Sequence, residues 1–538
     1  MRKDKSTYIQ NILLPCVLFS IITGVVTGTL IFLFKASASF LISKSEMIYE
    51  FARENPMMIP LLIIGMAVVG LLSAILLKYV PDARGGGIPT AIAILRGLIT
   101  FSWVKSIVFV FVSAMLTYFG GVPLGNEGPS VQMGTAAGKG IVSLFAKKHM
   151  AWDRYIMTGG ACAGFAAATG SPITGLLFAF EEAHRRVSPM IFMVAAMSTF
   201  AGVSTAQLLC HLTNTSFSLF HFSINAVMPL KYIWTAIIIG LIAGLTAAGF
   251  TYLYNAIRHF VKTTLKRIPF TVKIVSIFVI SAIIGLISAE SIGSGHHLID
   301  HLIEGHGVTA MLIVIFIVRA FLLLLANNSD ITGGLFVPTL AFGAIIGALS
   351  GKVLVYFGLL PEEYYSITVI MGIAAYLSSS SRTPLIALAF ATEALYGMSN
   401  ILPIGIAITV SFLVIETMGI PAFTDTVVEN KAESFNHGKN AYIVEAHMTV
   451  KPESFICGKE VRDVIFPPTC VILDIQKDRS LHIPTTSLSE GDIVHLHFQS
   501  FDIGATTEQL EAIFGTQTND INSQITFSKK NQHVPEIT

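Results

Sequence analysis

Residues 6–34 carry no charged side chain, a run longer than the roughly 20 apolar residues that cross a bilayer. Hydrocarbon offers no partner to backbone N–H and C=O groups, so such a run can only be a helix whose hydrogen bonds are internal. Signal-peptide cores span only about 7–15 residues. This run follows the basic start Met1-Arg2-Lys3-Asp4-Lys5, and it reads as a retained helix with a cytoplasmic N-terminus. Further apolar stretches follow, among them 57–77, 106–126, 155–180, 232–257, 331–351 and 394–415. Several are too long, too short or too broken by Gly and Pro for simple spans, and they predict paired, tilted and half-membrane helices.

Composition agrees with an integral membrane protein: 53% of residues are hydrophobic and 12% charged, where soluble chains carry roughly 25% charge. A net charge of +1 leaves no basic field for nucleic acid. Charge is also unevenly placed, because 428–538 hold 24 of the 67 charged side chains, and that step predicts a domain boundary near Val428. The five cysteines Cys16, Cys162, Cys210, Cys457 and Cys470 are widely spaced, with no CxxC, and read as free thiols.

The apolar part repeats itself. Gly87 in GGGIP pairs with Gly295 in IGSGHHLI at an offset of 208, and Pro129 in GNEGP with Pro338 in GGLFVP at 209. Pro172 in SPITGLLFAFEE pairs with Pro384 in TPLIALAFATEA, and Glu181 with Glu393, both at 212. Two copies of a membrane unit with Gly/Pro-interrupted segments in matching places are the sequence sign of a repeat transporter whose site lies where broken helices meet.

In Arg84-Gly85-Gly86-Gly87-Ile88-Pro89, Gly125-Asn126-Glu127-Gly128-Pro129 and Gly333-Gly334-Leu335-Phe336-Val337-Pro338, glycines precede a proline that suits a first helical turn. Each predicts a helix N-terminus inside the membrane. Three such ends converging would hold a small anion on unpaired N–H groups and partial positive charge, without lysine or arginine. Glycine and proline that merely ease packing explain one such motif, but three in register with a repeat favour a site.

Glu127 is the most informative side chain. A carboxylate costs at least about 2.5–3.5 kcal/mol at the bilayer centre, more than the 0.3–1 kcal/mol that an acid in a first helical turn returns. At a helix N-terminus it can occupy the anion seat and leave when protonated. Glu181 and Glu182 end an apolar helix beside His184, Arg185 and Arg186, and read equally as an interfacial charge cluster or a proton port; Glu393 shares the ambiguity. His296, His297, Asp300, His301, Glu304 and His306 suggest a metal by the i, i+4 spacing of His297 and His301, but read better as a polar connection between helices. An intramembrane enzyme lacks support, with no GxSxG, no intramembrane HExxH and no paired aspartates, so the chain reads as a non-enzyme needing no cofactor or metal.

These motifs, in this order and with the repeat, resemble the CLC family of chloride channels and proton/chloride antiporters over about residues 10–428. The resemblance implies an all-α membrane domain of two inverted repeats (about 57–185 and 274–400) of tilted and broken transmembrane helices, assembled as a homodimer with one pore per subunit. It implies an anion seat at Gly86, Gly87, Ile88, Leu335 and Phe336, completed by Phe423, with Glu127 as the gating glutamate. Glu182 matches the internal glutamate that relays protons in family antiporters, where family channels usually carry an uncharged residue. Three positions depart from the family pattern: Gly86 replaces a serine, Phe423 a tyrosine, and Asn126 a basic residue. The expected function is proton-coupled chloride exchange; a passive chloride channel, or an antiporter preferring fluoride or nitrate, stays open.

In the tail, 442–450, 470–476, 480–484 and 492–498 predict short strands and 506–514 a helix, together a small α+β domain. Gly458-Lys459-Glu460-Val461-Arg462-Asp463, Ile483-Pro484 and Glu490-Gly491-Asp492-Ile493-Val494 resemble the TrkA-C family, the C-terminal lobe of regulators of potassium conductance. That resemblance implies a cytoplasmic regulatory or dimerising domain over 429–520, with a small nucleotide as candidate ligand; 521–538 read as a disordered tail. The whole is expected in a bacterial plasma membrane, with both termini cytoplasmic and lipid around it.

Overall fold

The computed structural model describes residues 14–85, 87–145, 150–220, 222, 226–307, 309–452, 454–477, 487–517 and 523–529. The first apolar run becomes α1 (Leu14–Glu54), about 60 Å long at 1.5 Å per residue and therefore more than a perpendicular crossing needs. Two helical series follow. The first comprises α2 (Ile59–Tyr79), α3 (Ile88–Leu95), α4 (Trp103–Phe119), α5 (Glu127–Phe145), α6 (Asp153–Thr169), α7 (Pro172–Phe178) and α8 (Pro189–Leu212). After α9 (Trp234–Thr263) the second repeats it as α10 (Phe270–Ile287), α11 (His296–Ile303), α12 (Thr309–Asn328), α13 (Phe336–Tyr356), α14 (Tyr365–Ser381), α15 (Pro384–Glu393) and α16 (Ile401–Thr417).

Each member of the second series starts about 210 residues after its counterpart, so the repeat runs from Ile59 to Leu212 and from Phe270 to Thr417, wider than 57–185 and 274–400. It reaches further still, because α1 packs along α8 as α9 packs along α16. Among the described residues eight helices are long and apolar enough to cross a membrane. The other eight, α3–α7, α11, α14 and α15, are not; α3, with eight residues, covers about 12 Å of a hydrocarbon core about 30 Å thick. The starts of α3, α5 and α13 fall where the Gly and Pro pattern predicts helix N-termini.

The repeats clasp each other by an exchange of caps. The Glu393 carboxylate accepts the N–H groups of Ile173 and Thr174 at 2.8 Å, at the start of α7. Its repeat partner Glu181 accepts those of Leu385 (2.9 Å) and Ile386 (2.7 Å) at the start of α15. A carboxylate at a helix N-terminus satisfies orphan donors and opposes the dipole, so these two acids are structural caps here, a role that resolves the ambiguity of Glu181 and Glu393. Glu182, one residue on, points elsewhere.

The histidine-rich segment forms a helix, α11, where the sequence suggested a connection: Gly295, at φ 109°, turns the chain and Leu298, Ile299, Leu302 and Ile303 bury one face. Among the described residues no group of three or more His, Cys, Asp or Glu is placed to hold a metal.

Helix α17 (Phe423–Asn436) runs across the expected boundary at Val428 and leads into a four-stranded antiparallel sheet, in the order β2 (Val471–Gln476), β3 (Ile493–Ser500), β1 (Tyr442–Thr449), β4 (Gln524–Lys529). Val444, Ala446 and Met448 face inward with Val494, Leu496 and Phe498, and α18 (Ile503–Phe514) closes that core with Leu510 and Phe514. β4 corrects the disordered reading for residues 524–529, which pair with β1; residues 521–522 and 530–538 of that tail, and the expected strand 480–484, lie outside the described residues. The domain is fastened to the helices: Tyr155 Oη donates to Asp463 O (2.5 Å) and accepts from Ile465 N (2.9 Å), and Arg154 and Arg186 donate to the carbonyls of Phe466 and Val464.

Candidate functional site

The segments that start α3, α5 and α13 are laced together before their helices begin. Gly85 N–H donates to Asp330 O (2.9 Å), and Gly125 and Gly334 exchange both backbone hydrogen bonds, at 2.8 and 2.6 Å. Thr332 ties the same junction to Ser113 Oγ (2.8 Å) and to the Ala83 carbonyl. The consequence is backbone-on-backbone contact between three helix N-termini: a Cβ on Gly87 would overlap Gly128, and one on Gly128 would lie 2.6 Å from Gly334 Cα. Gly87, at φ 45°, also needs a conformation that other residues resist.

Of the residues expected to seat an anion, Gly87, Ile88, Leu335 and Phe336 thus stand at one junction, and Gly86 lies outside the described residues. Ile88, Leu335 and Phe336 are buried, and the Phe336 ring is held edge-on by Phe165 (centroids 4.9 Å) and Phe390 (5.2 Å). Phe423 sits differently. It opens α17, which packs along α3, and its ring meets Tyr254 (5.0 Å) and Phe250 (5.3 Å).

Glu127 is the first residue of α5 and is fully buried. Neither carboxylate oxygen makes a hydrogen bond among the described residues, an expensive state for a buried acid and the mark of a group that lacks a permanent partner. Its Oε1 faces His296 Nε2 at 3.6 Å, and Tyr118 Oη, close by, is occupied by Gly125 O (2.9 Å).

Glu182 lies at the opposite end of α3, in the π-turn Ala179–Ala183, and is buried. Arg96, which ends α3, donates to the carbonyls of Glu182 (2.8 Å) and Ala183 (3.0 Å) and pairs with Asp425 (3.2 Å), while Arg185 pairs with the same Asp425. Thr424 and Asp425 follow Phe423 and lie beside the Glu182 carboxyl. The structure therefore separates the two glutamates, one at each end of α3. Glu127 stands with the three N-termini, Glu182 stands with Arg96 and Asp425, and Phe423 opens α17 against Tyr254 and Phe250. Sequence reasoning named His296 only within the histidine-rich segment and missed its place beside Glu127; the signal was present in its pairing with Ile88, one residue beyond the matched glycines Gly87 and Gly295.

Inverted repeats, broken helices meeting N-terminus to N-terminus in the membrane, and an unpartnered buried carboxylate at that point define an integral membrane protein of the repeat-transporter class. The family described as voltage gated chloride channel matches residues 69–416, and the chain belongs to that family. It is similar to the H(+)/Cl(-) exchange transporter ClcA of Citrobacter koseri, 28% identical over 357 residues covering 65% of this chain and 74% of that protein. It is 26% identical over 454 residues to ClcA of Salmonella paratyphi B, covering 82% and 93%. Among solved structures, that of a slow cyanobacterial Cl-/H+ antiporter aligns with TM-score 0.72 at 22% identity, covering 78% of this chain and 99% of that one. A CLC-type fluoride/proton antiporter aligns with TM-score 0.62 at 19% identity, covering 75% and 96%. At these identities the two structures establish the fold.

Proposed function

We propose that the protein exchanges a small anion, chloride in the first place, for protons across a bacterial plasma membrane. One observation carries the reading: Glu127, buried and without a hydrogen bond, stands where three helix N-termini meet. In this mechanism the anion rests against the N–H groups of Gly86, Gly87, Ile88, Leu335 and Phe336, with Phe423 completing the seat. Deprotonated Glu127 competes for the same positive end of α5 and closes the path. On taking a proton the carboxyl loses that attraction and yields to the anion, so anion and proton use one seat in turn. Glu182 receives protons from the other side and hands them along α3, which is itself about 12 Å long, by way of water or side-chain movement.

The relatives named as H(+)/Cl(-) exchange transporters support exchange, and the carboxyl at Glu182 supports it over a passive channel. A preference for fluoride or nitrate is the second reading, favoured by the missing hydroxyls at Gly86 and Phe423: each hydrogen bond to a charged group is worth about 1.5–3 kcal/mol. The chain is further proposed to form homodimers with both termini cytoplasmic. The sheet domain is proposed to be a TrkA-C-like regulator binding a small nucleotide. The fastening of Asp463–Phe466 to α6 supports a regulatory link, because Arg154, which holds Phe466 O, also donates to Leu95 O at the end of α3 (2.8 Å).

The test uses purified protein in liposomes at clamped voltage, with an outward gradient of chloride, fluoride or nitrate and internal pH followed. Uphill proton movement driven by one of them is expected and names the substrate; anion flux without proton movement would make the protein a channel.

A further inference from the structure

Glu182 accounts for proton traffic on one side of the gate, and the proposed exchange leaves the other side without a named group. The repeat indicates where to look. Gly295 and His296 are the counterparts of Gly87 and Ile88, so α11 brings its own N-terminus toward the junction that α3 reaches from the first repeat. There the first repeat offers an amide beside an isoleucine and the second offers an imidazole.

The geometry at His296 is specific. Its Nε2 is buried, makes no hydrogen bond among the described residues, and faces the equally unpartnered Glu127 Oε1 across 3.6 Å. Its Nδ1 is held by Ser294 Oγ at 2.6 Å, and the Phe220 ring lies 5.8 Å away, so the imidazole is oriented from two sides. With Nδ1–H donated to Ser294, Nε2 keeps its lone pair aimed at the carboxyl. The side chain is 22% exposed and helps line a cavity of about 340 Å3, whose wall also includes Asn126 and Tyr118 and none of Arg96, Glu182 or Asp425. One imidazole thus touches the buried acid and a space large enough for water.

We propose that His296 is the proton-transfer residue that loads and unloads Glu127 on the side facing this cavity; this rests on Glu127 being the gate. A proton on the Glu127 carboxyl passes to the Nε2 lone pair, leaving carboxylate and imidazolium, and the imidazolium returns one proton to cavity water; loading is the reverse. The 3.6 Å gap closes to hydrogen-bond length with a small rotation of either side chain, as proton-transfer pairs tighten in the working state. The neighbouring charges are engaged elsewhere or stand back. His297 and His301 pair with Glu46 (3.7 Å) and Glu290 (3.4 Å). Arg319 is spent on the carbonyls of Glu290, Ile292 and Gly293, which fixes the turn before His296. From α1, Glu50 and Arg53 also line the cavity, and Lys35 Nζ lies over the Phe217 ring at 5.6 Å.

The test measures chloride-driven proton uptake into liposomes while pH is varied on the cavity side alone, for wild type, His296→Gln and Glu127→Gln, with chloride binding as the check on folding. His296→Gln is expected to bind chloride as wild type does and to lose coupled proton rate at least about tenfold. A wild-type rate and profile in His296→Gln, with coupling abolished in Glu127→Gln, overturns the role of His296 and leaves the gate standing. Persistent coupling in Glu127→Gln overturns the gate itself. Should His296→Gln not bind chloride, Ser294→Ala decides, since it keeps the imidazole and frees its Nδ1: a shifted profile supports the relay and an unchanged one overturns it.

Discussion

Replacing Gly128 by alanine probes the convergence of helix ends with one carbon atom. The new Cβ would lie 2.6 Å from Gly334 Cα, 3.2 Å from Gly87 Cα and 3.3 Å from Gly334 N. Ordinary contacts begin near 3.4 Å, and all three neighbours are backbone, so no side chain can turn aside. The three N-termini must part by several tenths of an ångström, at the cost of about 1–3 kcal/mol typical of overpacking. Because the strain falls on the proposed seat itself, it is expected to weaken chloride binding about 5- to 150-fold, at 1.4 kcal/mol per factor of ten. Titration calorimetry of chloride into detergent-purified protein measures the change directly. Gly249→Ala in α9 is the control, since nothing lies within 4 Å of its Cβ and binding should not change. A folded, monodisperse Gly128→Ala that binds chloride within twofold of wild type would refute the idea that these backbones form the seat.

Glu393→Ala removes three hydrogen bonds at the start of α7, two from N–H groups and one from Thr174 Oγ1 at 2.7 Å, and should cost about 1–2 kcal/mol, read as a lower melting temperature. Glu181→Ala should cost a similar amount by the same reasoning, and a neutral result for both would remove the reciprocal cap. Burial pushes the Lys459 ammonium, in the sheet domain, down to about 7 from its usual value near 10.5. The unfolded chain binds the extra proton between those values, so this group's penalty is full below pH 7 and is relieved as pH rises toward 10. Lys459→Met should accordingly raise thermal stability more at pH 6.5 than at pH 9, and an equal shift at both pH values would show that the lysine does not titrate as described.

Much of the membrane fold was legible because the sequence marks helix starts with Gly and Pro, and those marks recur at a near-constant offset. The short α3, α7 and α15, the N-termini at Gly87 and Glu127, and the burial of Glu127 all follow from residues read in order. What escaped depends on contacts between distant segments. Nothing in the residues around Glu181 and Glu393 announces that each caps the other's repeat, since a cap is ordinarily sought within its own helix. The pairing of α1 with α9 carries no Gly-Pro landmark and shows only in their packing on α8 and α16. His296 was obscured by its polar neighbours, which made an amphipathic helix look like a connection. β4 was missed for a similar reason: Ile525 and Phe527 are two apolar residues in a polar stretch, enough for an edge strand beside β1 and too few to stand out.

The most direct test of the central claim compares wild type with Glu127→Gln in liposomes holding a chloride gradient at clamped voltage, with chloride efflux and internal pH recorded together. The account predicts uphill proton movement in wild type, and in Glu127→Gln chloride efflux that continues with no proton movement. Uphill proton movement that persists in Glu127→Gln would contradict it.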